Sequence, residues 1–232
     1  MAAPKSVIRA FVSQYEVEQS KYARLAHIAT EAVKKKARKL EIDPQPLCTG
    51  RGKSPESLRR KLSQRNQRIN HGQGYAEESE IRRDISDLAG IRVLLYFPDQ
   101  ADEVENVLRK AFDDVQFKPS KAMKTFEELD NAAECSKAGP YRARIYLVKV
   151  KKNDLDDLSI PNECNRVEVQ VVSLLSHAWA EVEHRRYKGV IAPTAEENQV
   201  LSRLNEVMRQ GEDLLTQLHS LYNARNEASR CS

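Results

Sequence analysis

Apolar residues near the start of the chain recur at intervals of three and four: Ile8, Phe11, Val12 and Tyr15, then Leu25, Ile28, Ala32 and Val33. That period predicts a helix over residues 6–40 with one buried face. Asp43-Pro44-Gln45-Pro46 then stops it and marks a boundary. A short strand is expected over Leu47–Gly52. Ser54-Pro55-Glu56 follows as a helix start, with serine at the cap, proline at the first helical position, and Leu58, Leu62 and Ile69 as the apolar stripe. Ile91, Val93, Leu95 and Phe97 alternate with Arg92, Leu94 and Tyr96, the period of a strand. The pattern returns to helix over 102–112, to strands over 141–151 and 166–173, and to helix over 174–187. Polar connections at 118–140 and 152–164 read as loops. After Pro193, Val200, Leu204, Val207, Leu214, Leu218 and Leu221 approximate a heptad seam, interrupted by Gly211. Such a helix either folds back on the domain or also meets another copy.

This order describes an α+β fold, one mixed sheet carrying helices, with helical arms at both ends. Residues 1–45 form an N-terminal helical extension, 46–190 the main domain and 191–232 a C-terminal helix. The 232 residues are enough for a sizeable core, and 40% are hydrophobic against 31% charged, which sets the chain apart from disordered sequences. The longest apolar stretch contains Arg92 and falls far short of a membrane span. The first residues lack the apolar run of a secretory signal. These features predict a cytoplasmic protein without a membrane partner. The four cysteines show no C-x-x-C pair and read as free thiols. A net charge of +4 suits polyphosphate ligands without arguing for nucleic acid. The run Lys34-Lys35-Lys36 reads as a solvated helix face.

Four segments carry candidate chemistry. In R51-G-K53-S-P-E-S57-L-R-R-K61 an extended backbone points Arg51 and Lys53 to one side, and helical spacing does the same for Ser57 and Lys61. A forked guanidinium, point-charge ammoniums and a first-turn hydroxyl suit a triphosphate; the competing reading is a solvated basic helix. The segment is not a P-loop, because G-x-x-x-x-G-K is missing. In D84-I-S-D87-L-A-G-I-R92, Asp87 precedes a buried strand at the sheet's rim, where it either holds Mg²⁺ with substrate phosphates or caps a turn. In R166-V-E168-V-Q170-V-V, Glu168 and Gln170 share one strand face opposite the valines. Glu168 is then a metal ligand, a base or half of a buried ion pair. In H177-A-W179-A-E-V-E183-H184 the zinc spacing H-E-x-x-H is absent. Trp179 and Val182 read as core there, and Glu183, His184 and Lys188 as polar support.

Taken together and in order, these segments resemble the synthetase domain of the RelA/SpoT family, especially its stand-alone small alarmone synthetases. The resemblance rests on T-G-R51-G-K53-x-x-x-S57-x-x-x-K61, D87-L-A-G-I-R92, Y141-R, V-E168-V-Q170 and H-A-W179-A-E-V-E183-H184. It implies a five-stranded mixed sheet of nucleotidyltransferase type. It also implies transfer of pyrophosphate from ATP to the 3′-hydroxyl of an acceptor, usually GDP or GTP, with release of AMP. By the same resemblance Arg51 packs on adenine, while Lys53, Ser57 and Lys61 grip the donor phosphates. Asp87 and Glu168 hold Mg²⁺, or Glu168 takes the attacking hydroxyl's proton, and Arg92 lines the ATP site or locks one of these carboxylates. Tyr141 stacks on the acceptor base, with Arg142 and Gln170 beside it. The resemblance further implies a homo-oligomer built through terminal helices.

The acceptor half departs from the family pattern. Where the family's loop reads N-G-Y-x-S-x-H, this chain has G139-P-Y141-R142-A-R144-I, and an arginine two residues after Gln170 is replaced by Val172. The acceptor's phosphates then fall to other cations, Arg142 or Arg144. Guanosine nucleotides remain the leading acceptor and adenosine nucleotides the next. Alternatives are pyrophosphorylation of a tRNA 3′ end and a non-catalytic module that binds ATP.

Overall fold

The computed structural model describes residues 4–118, 143–155, 165–187 and 194–230. The chain runs α1 (Pro4–Lys39), β1 (Leu47–Gly52), α2 (Pro55–Asn66), α3 (Glu78–Asp84), β2 (Ala89–Leu95), α4 (Ala101–Ala111), β3 (Asp114–Lys118), β4 (Arg144–Lys149), β5 (Val167–Ser173), α5 (Leu174–Tyr187) and α6 (Ala195–Arg230). The five strands form one sheet in the order β1-β2-β5-β4-β3. β2 and β5 are parallel and the other neighbours antiparallel, which makes the sheet mixed as the sequence implies.

Strand alternation sorts the sheet into two unlike faces. Ile91 and Val93 on β2 and Val167, Val169 and Val171 on β5 are buried together on one face. α1 covers that face with Phe11, Val12, Tyr15, Leu25, Ala29 and Val33, and α4 adds Val104, Val107 and Leu108. On the other face register sets Gly90 opposite Glu168 and Arg92 opposite Gln170. Farther along that second face, Leu94, Ala143 and Val172 form a small apolar cluster with Leu174. The polar half of the second face is the part left for a site.

α1 lies directly on β1 because the strand carries glycines beneath it. A Cβ on Gly50 would come within 2.7 Å of the Ala26 carbonyl oxygen and closer still to the Thr30 hydroxyl. α2 begins where its sequence predicts: Ser54 Oγ accepts from the Ser57 N–H at 3.2 Å, with Pro55 in the first turn.

Several expectations change. α3 and β3 have no counterpart in the sequence reading: α3 is short and charged with Ile81 its buried residue, and β3 leaves Phe117 exposed on an edge. Trp179 is buried, but Val182 is exposed. The seam of α6 does not fold onto the domain, for Val200, Val207, Leu214 and Leu221 are each at least 62% exposed. Its polar side docks instead. Glu212 Oε1 accepts from the hydroxyls of Ser173 and of Ser176, the latter at 2.6 Å. His219 stacks on Phe97 at 4.3 Å and pairs with Asp99 at 2.7 Å. Most of the two connections read as loops lies outside the described residues, apart from a 3-10 turn at Lys152–Asp154. No described helix is long and apolar enough to cross a membrane.

Candidate functional site

Three strands deliver the site. Thr49 and Arg51 of β1 face Arg92 and Gly90 of β2, which in turn face Gln170 and Glu168 of β5. These residues line a cavity of ≈ 290 Å³ that also includes Lys53 and Asp87. Gly90, paired between Arg51 and Glu168, leaves the floor open where any other residue would project a side chain.

Beyond β1 the Lys53 N–H donates to the Leu88 carbonyl at 2.8 Å, continuing the ladder past the strand's end. The Tyr15 hydroxyl of α1 lies 2.7 Å from the Lys53 carbonyl and 3.3 Å from that of Leu88, tying both segments to the helix. Burial, with the nearby Tyr22 and Asp87, pushes the Tyr15 hydroxyl well above the ordinary phenol range, so it stays a donor.

Two ammonium groups converge on Asp87. Lys53 Nζ and Lys61 Nζ each lie 2.7 Å from Asp87 Oδ2, one from the end of β1 and one from α2. Side-chain exposures of 15% for Lys53 and 17% for Asp87 place this contact largely out of bulk water. Burial works to raise the Asp87 carboxyl, but the charges and hydrogen bonds of Lys53 and Lys61 together outweigh it and hold the group below the usual carboxylate range. Asp87 Oδ1 is buried and makes no hydrogen bond among the described residues. A buried, unpartnered carboxylate oxygen beside two cations is costly unless something else binds it.

Glu168, with 12% of its side chain exposed, accepts from Gln170 Nε2 at 3.2 Å and from the Ser86 hydroxyl at 3.4 Å. Lys118 Nζ, at the end of β3, stands 3.9 Å away and donates to Ser86 Oγ at 2.9 Å. Arg92 lines the cavity without locking either carboxylate, contrary to one sequence expectation. Its Nη1 donates to Glu181 Oε1 at 3.0 Å and lies 3.3 Å from His177 Nδ1. Burial, then the Arg92 charge, lowers the His177 imidazole's affinity for a proton.

The structure therefore brings Arg51, Lys53, Lys61, Asp87, Arg92, Glu168 and Gln170 to one region. Ser57 is not among the cavity-lining residues; its N–H serves the α2 cap and its hydroxyl accepts from Ser54 at 2.8 Å. Tyr141 and Arg142 lie outside the described residues. Arg144 is unsuited to the acceptor phosphates, for it pairs with Asp102 at 2.5 Å on the face covered by α4. Sequence reasoning missed Tyr15, Ser86, Lys118 and Glu181. Ser86 sat unassigned inside the D84-I-S-D87 segment, whereas Tyr15 carried only the signal of a core position.

Cations from β1, β2 and α2 and the carboxylates of Asp87 and Glu168 thus gather on one open face of a five-stranded mixed sheet. The sequence profile described as the region found in RelA / SpoT proteins matches residues 50–191. The chain belongs to the RelA/SpoT family. Among solved structures it is similar to a GTP pyrophosphokinase family protein from Streptococcus pneumoniae, with 21% identity and a TM-score of 0.64 over 93% of this chain and 96% of that one. It is also similar to the small alarmone synthetase 1 from Bacillus subtilis bound to its product pppGpp, with 21% identity and a TM-score of 0.62 over 91% and 99%. The same synthetase bound to AMPCPP aligns with 20% identity and a TM-score of 0.62, again over 91% and 99%. At these identities the likeness is one of fold. A comparison with curated proteins found no match.

Proposed function

We propose that this protein is a cytoplasmic nucleotide 3′-pyrophosphokinase that moves the β,γ-pyrophosphoryl group of ATP to the 3′-hydroxyl of an acceptor nucleotide. Guanosine di- or triphosphate is the leading acceptor, and AMP is released. The observation that carries this reading is the meeting of Lys53 and Lys61 at Asp87, in a cavity shared with Glu168, within a chain of the RelA/SpoT family. The pppGpp and AMPCPP complexes of the Bacillus subtilis synthetase support both the donor and the acceptor.

In the proposed reaction the acceptor's 3′ oxygen attacks the β-phosphorus and the bond from that phosphorus to the α,β-bridging oxygen breaks. AMP leaves with the bridging oxygen, and Glu168 takes the proton of the attacking hydroxyl. Little covalent work falls to the protein in such a transfer, and positioning with charge neutralisation dominates. Lys53 and Lys61 turn from Asp87 to the donor phosphates, with Arg51 at the cavity mouth and Ser57 at the start of α2 beside them. Arg92, held by Glu181, lends a further fixed positive charge to the ATP side.

The residues fit a divalent cation such as Mg²⁺: Asp87 offers a buried oxygen without a partner, and Glu168 a second carboxylate in the same cavity. No cluster of three metal-binding side chains exists among the described residues. That suits an ion that takes one or two carboxylates and completes its shell with water and substrate phosphates. Bound there, it would neutralise charge on the transferred group.

On the acceptor side, Tyr141 stacks on the base and Arg142 and Gln170 stand beside it. The exposed residues Val200, Val207, Leu214 and Leu221 recur every seventh position along α6, and a second copy of the chain covers them in the oligomer we infer. The test of function is incubation with γ-labelled ATP and Mg²⁺ against GDP, GTP, ADP, ATP and bulk tRNA. A labelled guanosine product and AMP are expected; label on tRNA alone, or none on any acceptor, contradicts the reading.

A further inference from the structure

The sheet's other side carries a second concentration of positive charge, in a groove that shares no lining residue with the cavity at Asp87. A groove of ≈ 700 Å³ lies where the C-terminal parts of α1 and α4 meet the turn at Lys152–Asp154. Lys35, Lys36 and Lys39 line it from α1, Lys110 from α4 and Lys151 from the segment after β4. Two carboxylates also face it, but Glu31 is engaged by Lys34 at 2.9 Å, which leaves Asp154 as the groove acid without an ion pair among the described residues. None of the five lysines forms an ion pair among the described residues.

Ordinary helix electrostatics explain only part of this. Lys36, Lys39 and Lys110 sit in the last turns of their helices, where the negative dipole end welcomes a cation. Lys35 precedes its last turn, and Lys151 belongs to neither helix. Like charges drawn from three elements into one concavity repel each other, and that repulsion is relieved by an anion.

We propose that this groove is a second anion site that takes a polyphosphate chain, free or carried by a nucleotide. The chemistry selects for several linked charges. No arginine fork lines the groove, so a single phosphate finds no bidentate partner, and the negative helix ends oppose any anion that does not meet several lysines at once. Separate ammoniums spread over three elements match a flexible multi-anion, each lysine acting as a point charge. Ile28 and Ala32, both partly buried, give an apolar ledge for a nucleoside end.

The test is calorimetric titration of the full chain with inorganic tripolyphosphate and, separately, with ATP, at low salt. Wild-type protein should show two sites for tripolyphosphate. A Lys35→Gln/Lys110→Gln/Lys151→Gln variant should lose one and keep the other, and Lys53→Ala should do the reverse. The single changes Lys110→Gln and Lys151→Gln, one on α4 and one in the segment after β4, should each weaken the groove about two- to fivefold. Binding of ATP to the groove as well would identify a nucleotide as its source, and binding of tripolyphosphate alone a bare chain. A single site abolished by Lys53→Ala, or two sites unchanged in the triple variant, would overturn the proposal. Because the Lys53 site is read separately, loss of one assignment leaves the other standing.

Discussion

The Lys53 ammonium donates to Asp87 Oδ2 across 2.7 Å, joining the end of an edge strand to the loop ahead of β2. Lys61 reaches the same oxygen from α2, so one carboxylate oxygen gathers two cations from two elements. This arrangement has a pH signature. The Asp87 carboxyl is held below its ordinary value, because the charges and hydrogen bonds of the two lysines together exceed the opposing effect of burial. A carboxyl lowered on folding contributes stability that is complete above its unfolded value, about 3.9, and is lost as pH falls through the folded value. Asp87→Asn should therefore be less stable than wild type at neutral pH, by about 1–3 kcal/mol, and the gap should close below about pH 4. Urea unfolding midpoints at the two pH values measure it; a gap that persists in acid contradicts the pairing.

Tyr15→Phe probes whether α1 belongs to the site. The change removes a donor shared by the Lys53 and Leu88 carbonyls while leaving the ring in the core. A loss of about 0.5–1.5 kcal/mol in stability is expected. Steady-state kinetics should also show a lower kcat with Lys53 less firmly placed. Unaltered turnover in a destabilised enzyme would confine Tyr15 to packing.

Gly50→Ala tests the close approach of α1 and β1. The new methyl meets the Ala26 carbonyl and the Thr30 hydroxyl, so helix and strand must move apart. Overpacking of this kind costs about 1–3 kcal/mol. Chemical denaturation reads the cost directly, and a neutral result would show that the helix yields freely.

Glu212→Ala addresses the docking of α6. It removes the carboxylate oxygen to which the buried hydroxyls of Ser173 and Ser176 donate, with an expected loss of about 1–3 kcal/mol. Limited proteolysis should then cut within α6 at protease levels that spare the wild type.

The strand and helix periods made most of the fold legible, since Val167, Val169 and Val171 announce a buried face and Glu168 and Gln170 its opposite. Spacing within R51-G-K53 and S57-x-x-x-K61 also anticipated which cations share a side. Spacing alone does not reveal that Lys61 bridges to Asp87, or that Arg92 turns to Glu181, because those contacts join residues 26 and 89 positions apart in a folded chain. α3 escaped notice because one buried residue, Ile81, sets no period. The α6 helix folds back on the domain, one of the two readings its pattern allowed, but the heptad positions did not show which side docks, since that face is made by Glu212 and His219.

The most direct measurement uses ATP labelled at both the α- and γ-phosphates, incubated with GTP, Mg²⁺ and protein, with products separated and counted. The account predicts one α-labelled AMP for each γ-labelled guanosine product, with both falling at least about 100-fold in Asp87→Asn and Glu168→Gln. Appearance of α-labelled ADP with free labelled phosphate, or full turnover in either variant, would contradict it.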